Sequence, residues 1–227
     1  MKGKAFGVAF RDTIPVMTGY LFLGIGFGVL LHETGYGTLW SVAMGLFIYA
    51  GSAQYLTVSL LASGASLVST AISVFLLNAR HLFYGLSMLE RYRDTGKKKP
   101  YLIFSLTDET YSLVSQKDPP EGINRHIYYL LVSLLDHGYW VLGCTLGGLL
   151  GAALPFSLKG IDFVLTALFV TIFTEQWLSC EDHVPAIIGV GATAVCLLIF
   201  GKDLFLIPSL ILISILLTLT SRKGAKK

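Results

Sequence analysis

The chain has 227 residues, of which 54% are hydrophobic and only 14% charged, against about 25% charged in a soluble domain. That composition excludes an ordinary water-soluble globule. The net charge of +3 argues no better for nucleic-acid binding, because each basic cluster is short and flanks an apolar run.

Apolar runs approaching the roughly 20 residues a membrane-crossing helix needs recur along the chain, and they are too long and too uniform for barrel strands. The first, Ile14–Leu31, ends in His32-Glu33-Thr34, with no small-residue site of the kind a cleaved signal carries. The second, Leu39–Leu61, contains Gly51-Ser52-Ala53-Gln54. Small residues there permit close helix packing or local unwinding, and Gln54 offers a donor and an acceptor. Gly51, Ser52 and Gln54 are therefore candidates for the polar end of a small substrate. The plainer reading is a helix contact with one interhelical hydrogen bond.

The third run, Leu67–Leu89, holds Asn78-Ala79-Arg80-His81. A guanidinium in hydrocarbon costs at least about 2.5–3.5 kcal/mol, and intramembrane charge marks a substrate or ion pathway by default. Arg80 can hold a carboxylate beside exposed half-helix N-termini, or snorkel, or pair with an acid such as Glu175 for structure. His81 titrates near neutral pH and is a proton-relay candidate; otherwise it donates to a backbone carbonyl.

Fourteen of the 17 Lys and Arg lie at Lys2–Arg11, Arg91–Arg125 and Arg222–Lys227. The positive-inside rule puts all three segments in the cytoplasm, which requires an even number of crossings before Arg91. Three simple spans violate this. Either the N-terminus is outside, giving seven spans, or the third run turns back at Asn78–His81, whose residues then cap two half-helices. Ser105–Tyr111, following Pro100, is too polar to span in lipid and is an interfacial helix or a segment folded back into the protein. Within it Asp108 and Glu109 are proton-coupling candidates, although neighbours on a helix project about 100° apart; a solvated polar face is the alternative.

Asp136, with His137, Tyr139 and Trp140, lies inside the run Ile127–Leu154. An acid there is costly unless paired, and Asp136 is a candidate for an ammonium group or a proton. The remaining runs are Ile161–Leu178, with Glu175-Gln176 near its end, Pro185–Phe200 and Leu204–Leu219. Between the last two, Gly201-Lys202-Asp203 reads as an interfacial turn with a local pair. Cys144, Cys180 and Cys196 lack metal-ligand spacing and read as small packing residues. The chain has no phosphate loop, no H-E-x-x-H and no nucleophile elbow, so neither an enzyme nor a metal or cofactor site is expected.

The expected fold is all-α: one polytopic membrane domain over 1–227 with about seven or eight membrane helices, some discontinuous. Two related halves, 12–90 and 127–221, are joined by the basic polar segment 91–126. Gly19-Tyr20, Gly24 and Gly28 share their spacing with Gly138-Tyr139, Gly143 and Gly147, and Gln54-Tyr55-Leu56 corresponds to Gln176-Trp177-Leu178. The repeats are parallel if both halves start and end inside, and inverted if the N-terminus is outside. Asn78–His81 and Gly201–Asp203 are then corresponding breaks.

Five segments in order carry a resemblance: Arg11-Asp12-Thr13-Ile14-Pro15, Ala50-Gly51-Ser52-Ala53-Gln54, Asn78-Ala79-Arg80-His81 followed by Tyr84, Thr107-Asp108-Glu109-Thr110-Tyr111, and Gly160-Ile161-Asp162-Phe163. With these the chain resembles the AzlC-type large subunits of branched-chain amino acid exporters over nearly its whole length. The resemblance implies a permease for valine, leucine and isoleucine or their analogues. It also implies a small AzlD-type membrane partner and the cytoplasmic (inner) membrane of a prokaryote. Arg80 and half-helix ends would take the carboxylate, carbonyls near Gly51 or an acid such as Asp136 the ammonium, and Tyr20, Phe47 or Tyr84 would line the apolar pocket. Without a nucleotide site the proton-motive force is the simplest energy source. The basic tail Arg222–Lys227 places the C-terminus in the cytoplasm. The alternatives are a passive channel for a small polar solute built on half-helices and an accessory subunit without transport of its own.

Overall fold

The computed structural model describes residues 2–116 and 118–153, then 170, 173–174, 177–178, 180 and 182–224. Most of the run Ile161–Leu178, including Glu175-Gln176 and Gly160–Phe163, lies outside the described residues, as do the side chains of Lys202 and Asp203. The described residues are helical or irregular, without strands. They fall into two compact units, Met1–Lys159 and Gly160–Lys227.

In the first unit α1 (Lys2–Glu33) and α7 (Arg125–Ala153) are long and apolar enough to cross a membrane, and their contact is the most extensive in the chain. Glycines let the two backbones touch. A Cβ on Gly24 would lie 2.9 Å from the Gly143 Cα, Gly28 faces Gly147 and Gly148, and Gly151 meets His32. The positions ascend together, so α1 and α7 run in the same direction and start at the same end. Close approach through small residues is how helices associate in lipid, where apolar side chains gain little by leaving the bilayer.

Between them the chain makes one full return and two partial ones. Helix α2 (Thr38–Phe47) runs against α7, with Thr38 at Gly148 and Gly45 at Val141 and Cys144. It stops halfway. Tyr49 adopts the left-handed region at φ 44°, and α3 (Gly51–Ala62) begins beside Trp140. Helix α3 then heads back. The Tyr55 hydroxyl donates to the Leu23 carbonyl at 2.6 Å, and its ring packs on Phe27.

Helix α4 (Leu67–Ser87), capped by the Ser66 hydroxyl accepting from the Ser69 N–H, runs through to the end where α1 begins. There Met88 and Tyr92 join Ala9, Leu102, Val114, Tyr128 and Tyr129 in a buried cluster. Leu67, Phe75 and Phe83 stand exposed along its other face, which suits contact with lipid. From that same end α5 (Lys99–Phe104) rises to mid-depth, where Phe104 meets Tyr49. Helix α6 (Asp108–Gln116) descends again to Val114 and to Asp118, which is tied to Arg91 and Tyr129. Two hairpins of half-helices thus enter from opposite ends and meet tip to tip.

This arrangement is compatible with all three basic clusters on one side, with one correction. Helices α1 and α4 are the two full passes before Arg91, and the basic segment lies at the N-terminal end of α1. The break, however, is not at Asn78–His81, which sit inside the uninterrupted α4. It is at Ile48–Ala50, in the second run. The expected capping of half-helices by Asn78, Arg80 and His81 therefore does not occur, and a channel built on that break loses its structural basis. Ser105–Tyr111 is folded back into the protein rather than interfacial.

The second unit contains α8 (Val184–Leu204) and α9 (Leu206–Gly224), packed on each other. Here the expected interruption is present: Gly201, at φ 71° and ψ 178°, breaks the helical path inside α8.

Candidate functional site

The site lies where the two hairpin tips meet α4. The first turn of α3 begins at Ala50 without a side-chain cap, so its N–H groups remain available at mid-depth. The first turn of α6 is capped by Thr107, whose hydroxyl accepts from the Thr110 N–H, and it carries Asp108 and Glu109 where the helix dipole favours negative charge. Arg80 bridges the two tips. Its guanidinium donates to the Ser52 hydroxyl at 2.8 Å and forms an ion pair with the Asp108 carboxylate at 2.8 Å. Tyr84, one turn further along α4, donates to the other Asp108 oxygen at 2.6 Å and stacks on Tyr111 with ring centroids 4.4 Å apart.

Ser52, Arg80, Tyr84 and Asp108 are thus one constellation drawn from three helices. An arginine fork beside two half-helix N-termini is an anion site by charge and geometry, occupied here by the protein's own Asp108. The pair is not sealed: the Arg80 and Asp108 side chains are 32% and 37% exposed, which leaves room for an exchange of anions.

The other candidate residues have different positions. Gln54 is fully buried, accepting from the Trp140 indole N–H at 2.9 Å and from the Ala50 N–H at 3.3 Å, and so ties the α3 tip to α7. Gly51 gives the Trp140 ring room, since a Cβ there would come within 3.0 Å of it. Asn78 is not brought into the constellation; its Oδ1 is buried without a hydrogen-bond partner. His81 packs edge-on against Tyr84 with ring centroids 5.6 Å apart. Asp136 is fully buried and accepts from the Thr110 hydroxyl at 2.8 Å, beside the constellation rather than in it. Glu109 accepts from the Tyr20 hydroxyl at 2.7 Å.

The sequence reading missed how tightly this region is linked. The Tyr20 hydroxyl also lies 2.6 Å from Thr107, and Thr107 donates to Thr110 at 3.1 Å. Tyr101 lies 3.1 Å from His137 Nδ1, while His137 Nε2 lies 3.3 Å from the Gly45 carbonyl. A carbonyl can only accept, so Nε2 carries the proton and a neutral His137 takes the Tyr101 hydrogen on Nδ1. The only advance signals were Tyr20 in the glycine pattern and Thr107 and Thr110 in the acidic segment. Among the described residues no group of three or more His, Cys, Asp or Glu is placed to hold a metal.

A family model described as AzlC protein matches residues 15–154, which include every member of the constellation. The chain is 40% identical over 223 residues to the branched-chain amino acid transport protein AzlC of Bacillus subtilis, covering 98% of this chain and 87% of that one. Uncharacterized membrane proteins of Haemophilus influenzae and Helicobacter pylori are 42% identical over 221 residues and 41% over 216. Those alignments cover 97% and 95% of this chain and 91% and 95% of theirs. No solved structure matches.

Proposed function

The chain belongs to the AzlC family of membrane proteins, and from that premise we propose that it is a secondary transporter exporting branched-chain or other small aliphatic amino acids across the cytoplasmic membrane. The observation that carries the reading is Arg80, set between the first turns of α3 and α6 and held by a displaceable carboxylate. A substrate carboxylate can replace Asp108 on Arg80 and gain the free N–H groups of the Gly51–Ala53 turn. Tyr84, Tyr111 and His81 offer ring surface beside it for a branched side chain. The Bacillus subtilis relative is named for transport of this class of substrate.

Transport is driven by the proton-motive force, with a small AzlD-like membrane subunit as partner. The protein acts as a carrier and not an enzyme. Its N- and C-termini face the cytoplasm, in keeping with the basic clusters at both ends. The halves 12–90 and 127–221 are repeats; the meeting of Gly24 with Gly143 and of Gly28 with Gly147 supports a parallel rather than inverted relation at least for α1 and α7.

The test is efflux of radiolabelled valine and a panel of other amino acids, with and without the small subunit. Saturable efflux that a counter-substrate accelerates is expected. Flux linear in concentration indicates a pore and overturns the reading.

A further inference from the structure

We propose that Tyr20, Thr107 and Thr110 form a proton wire that carries the coupling proton between Glu109 and Asp136. The inference rests on the transport reading above and adds a route and three residues to it. The chain of contacts is continuous. Glu109 Oε2 lies 2.7 Å from the Tyr20 hydroxyl, which is 2.6 Å from Thr107 Oγ1. Thr107 donates to Thr110 Oγ1 at 3.1 Å, and Thr110 donates to Asp136 Oδ2 at 2.8 Å. Tyr20, Thr107, Thr110 and Asp136 are all buried, whereas Glu109 is exposed. The wire therefore joins a carboxyl at the protein's surface to a fully buried one.

A second, independent observation concerns Asp136 itself. Its Oδ1 is buried and has no hydrogen-bond partner among the described residues. An ionised carboxylate with one unpaired buried oxygen is strongly disfavoured, and a neutral carboxyl is not. Among the described residues, no surrounding group supplies a compensating cation. The ion pairs among the described residues are Arg80–Asp108 and Arg91–Asp118. His137, next to Asp136, engages Tyr101 and Gly45. Tyr49 packs on His137 and on Tyr20, and Tyr139 is turned to Thr13. Tyr84 is bound to Asp108.

The proton balance is simple. With the proton on Glu109, each hydroxyl donates toward Asp136: Glu109 to Tyr20, Tyr20 to Thr107, Thr107 to Thr110, and Thr110 to the Asp136 carboxylate. Four O–H bonds then break and four form, each hydroxyl passing on one hydrogen and receiving another. Asp136 ends neutral, Glu109 ionised, and every donor reversed. No group outside the wire is consumed. Because Glu109 and Asp108 are neighbours on the first turn of α6, the charge state of the wire acts directly on the anion beside Arg80. That is the coupling an exchanger requires.

The experiment uses everted membrane vesicles from cells expressing the full chain with its small partner, loaded with a pH-sensitive dye. Two quantities are read: protons moved on adding valine, and valine-for-valine exchange. In wild type, valine moves protons. Thr110→Val, and separately Tyr20→Phe, cut valine-driven proton movement by about 100-fold, the scale of a lost proton-transfer group, while exchange persists; Thr110→Ser retains both. Wild-type proton movement in both interrupted variants overturns the wire. Wild-type exchange that follows a sodium gradient and moves no protons also overturns it and leaves the transport reading standing. No exchange in wild type, with the protein present in the membrane, overturns the transport reading itself. Infrared spectra supply a readout without substrate: the C=O stretch of a protonated carboxylic acid is expected in wild type and absent in Asp136→Asn, and its presence unchanged in the variant overturns the neutral state of Asp136.

Discussion

Arg80→Ala separates a substrate-binding role from a structural one. In the resting arrangement Arg80 donates to Ser52 and pairs with Asp108, each at 2.8 Å. Both charged side chains remain about a third exposed, and a partly solvated pair contributes only about 0–1 kcal/mol to stability. Tyr84 still donates to Asp108 after the substitution, so the carboxylate keeps a partner. Folding should therefore lose little, and the thermal midpoint in detergent should shift by no more than about 4 °C. Substrate binding is a different matter. A hydrogen bond to a charged group contributes about 1.5–3 kcal/mol, and loss of one from Arg80 to a substrate carboxylate weakens binding about 12- to 150-fold. Arg80→Lys keeps the charge but loses the planar fork, and should fall between wild type and alanine. The assay is concentration-dependent valine efflux, paired with thermal unfolding of the same preparations. Arg80→Ala with a wild-type KM and rate would remove the carboxylate assignment. A variant that unfolds in proportion to its loss of transport would make Arg80 structural.

Asp108→Asn removes the anion that competes with substrate for Arg80 while preserving the shape of the α6 turn. The expected result is a lower KM with a lower maximal rate in the same efflux assay, because substrate is no longer displaced. Gly143→Ala places a Cβ 2.8 Å from the Tyr20 carbonyl and 3.0 Å from the Gly24 Cα, where no flexible side chain can yield. Overpacking of this kind costs about 1–3 kcal/mol and should lower the unfolding midpoint, whereas Gly138→Ala, with no neighbour within 4 Å, should not. For topology, single cysteines at Tyr36 and Ser63 should react with an impermeant reagent from one side of the membrane and a cysteine at Asp94 from the other, in a background without Cys144, Cys180 and Cys196; labelling of all three from one side contradicts the half-helix hairpins.

The sequence made some of this legible for identifiable reasons. Helical class follows from run length, and the helices bear it out; the even number of passes expected before Arg91 from where the basic residues lie is compatible with α1 and α4, which are long and apolar enough to cross. The location of the break was legible only as an alternative, local unwinding at Gly51–Gln54, beside the break expected at Asn78–His81. A polar insert in an apolar run looks the same whether the helix is interrupted or simply turns those residues toward an interior site, and Asn78–His81 do not interrupt α4. The true break, Ile48-Tyr49-Ala50, contains no charged residue and no proline. Its sole local hint is the Gly51-Ser52 pair that follows. Ser52, Arg80, Tyr84 and Asp108 were each recognisable as polar residues near apolar runs. Their meeting was not, because Ser52 and Arg80 are 28 residues apart and Tyr84 and Asp108 are 24 apart, and only the opposed hairpins bring them to one depth. Tyr20, Thr107 and Thr110 were visible as residues but their linkage was not, because hydroxyls in membrane helices usually bond within their own helix, as Thr57 and Thr145 do here.

The same geometry indicates which parts move. Helices α1 and α7 touch backbone to backbone, so neither can slide without steric overlap along the whole seam. Contacts of α3 with α4 and of α6 with α7 are far sparser, and each of these short helices ends at the site. A substrate that trades places with Asp108 pulls on the first turns of α3 and α6 together, because Arg80 joins them through Ser52 and Asp108. The hairpins, one entering from each end, are thus the elements expected to open alternately while the α1–α7 pair stays fixed. Amide hydrogen exchange in detergent or nanodiscs tests this. The seam around Gly24 and Gly143 should be protected throughout. The turns 48–53 and 105–110 should exchange faster without substrate and slow when valine is added. Equal protection of seam and turns, unchanged by valine, would assign the motion elsewhere and leave the hairpins as static walls.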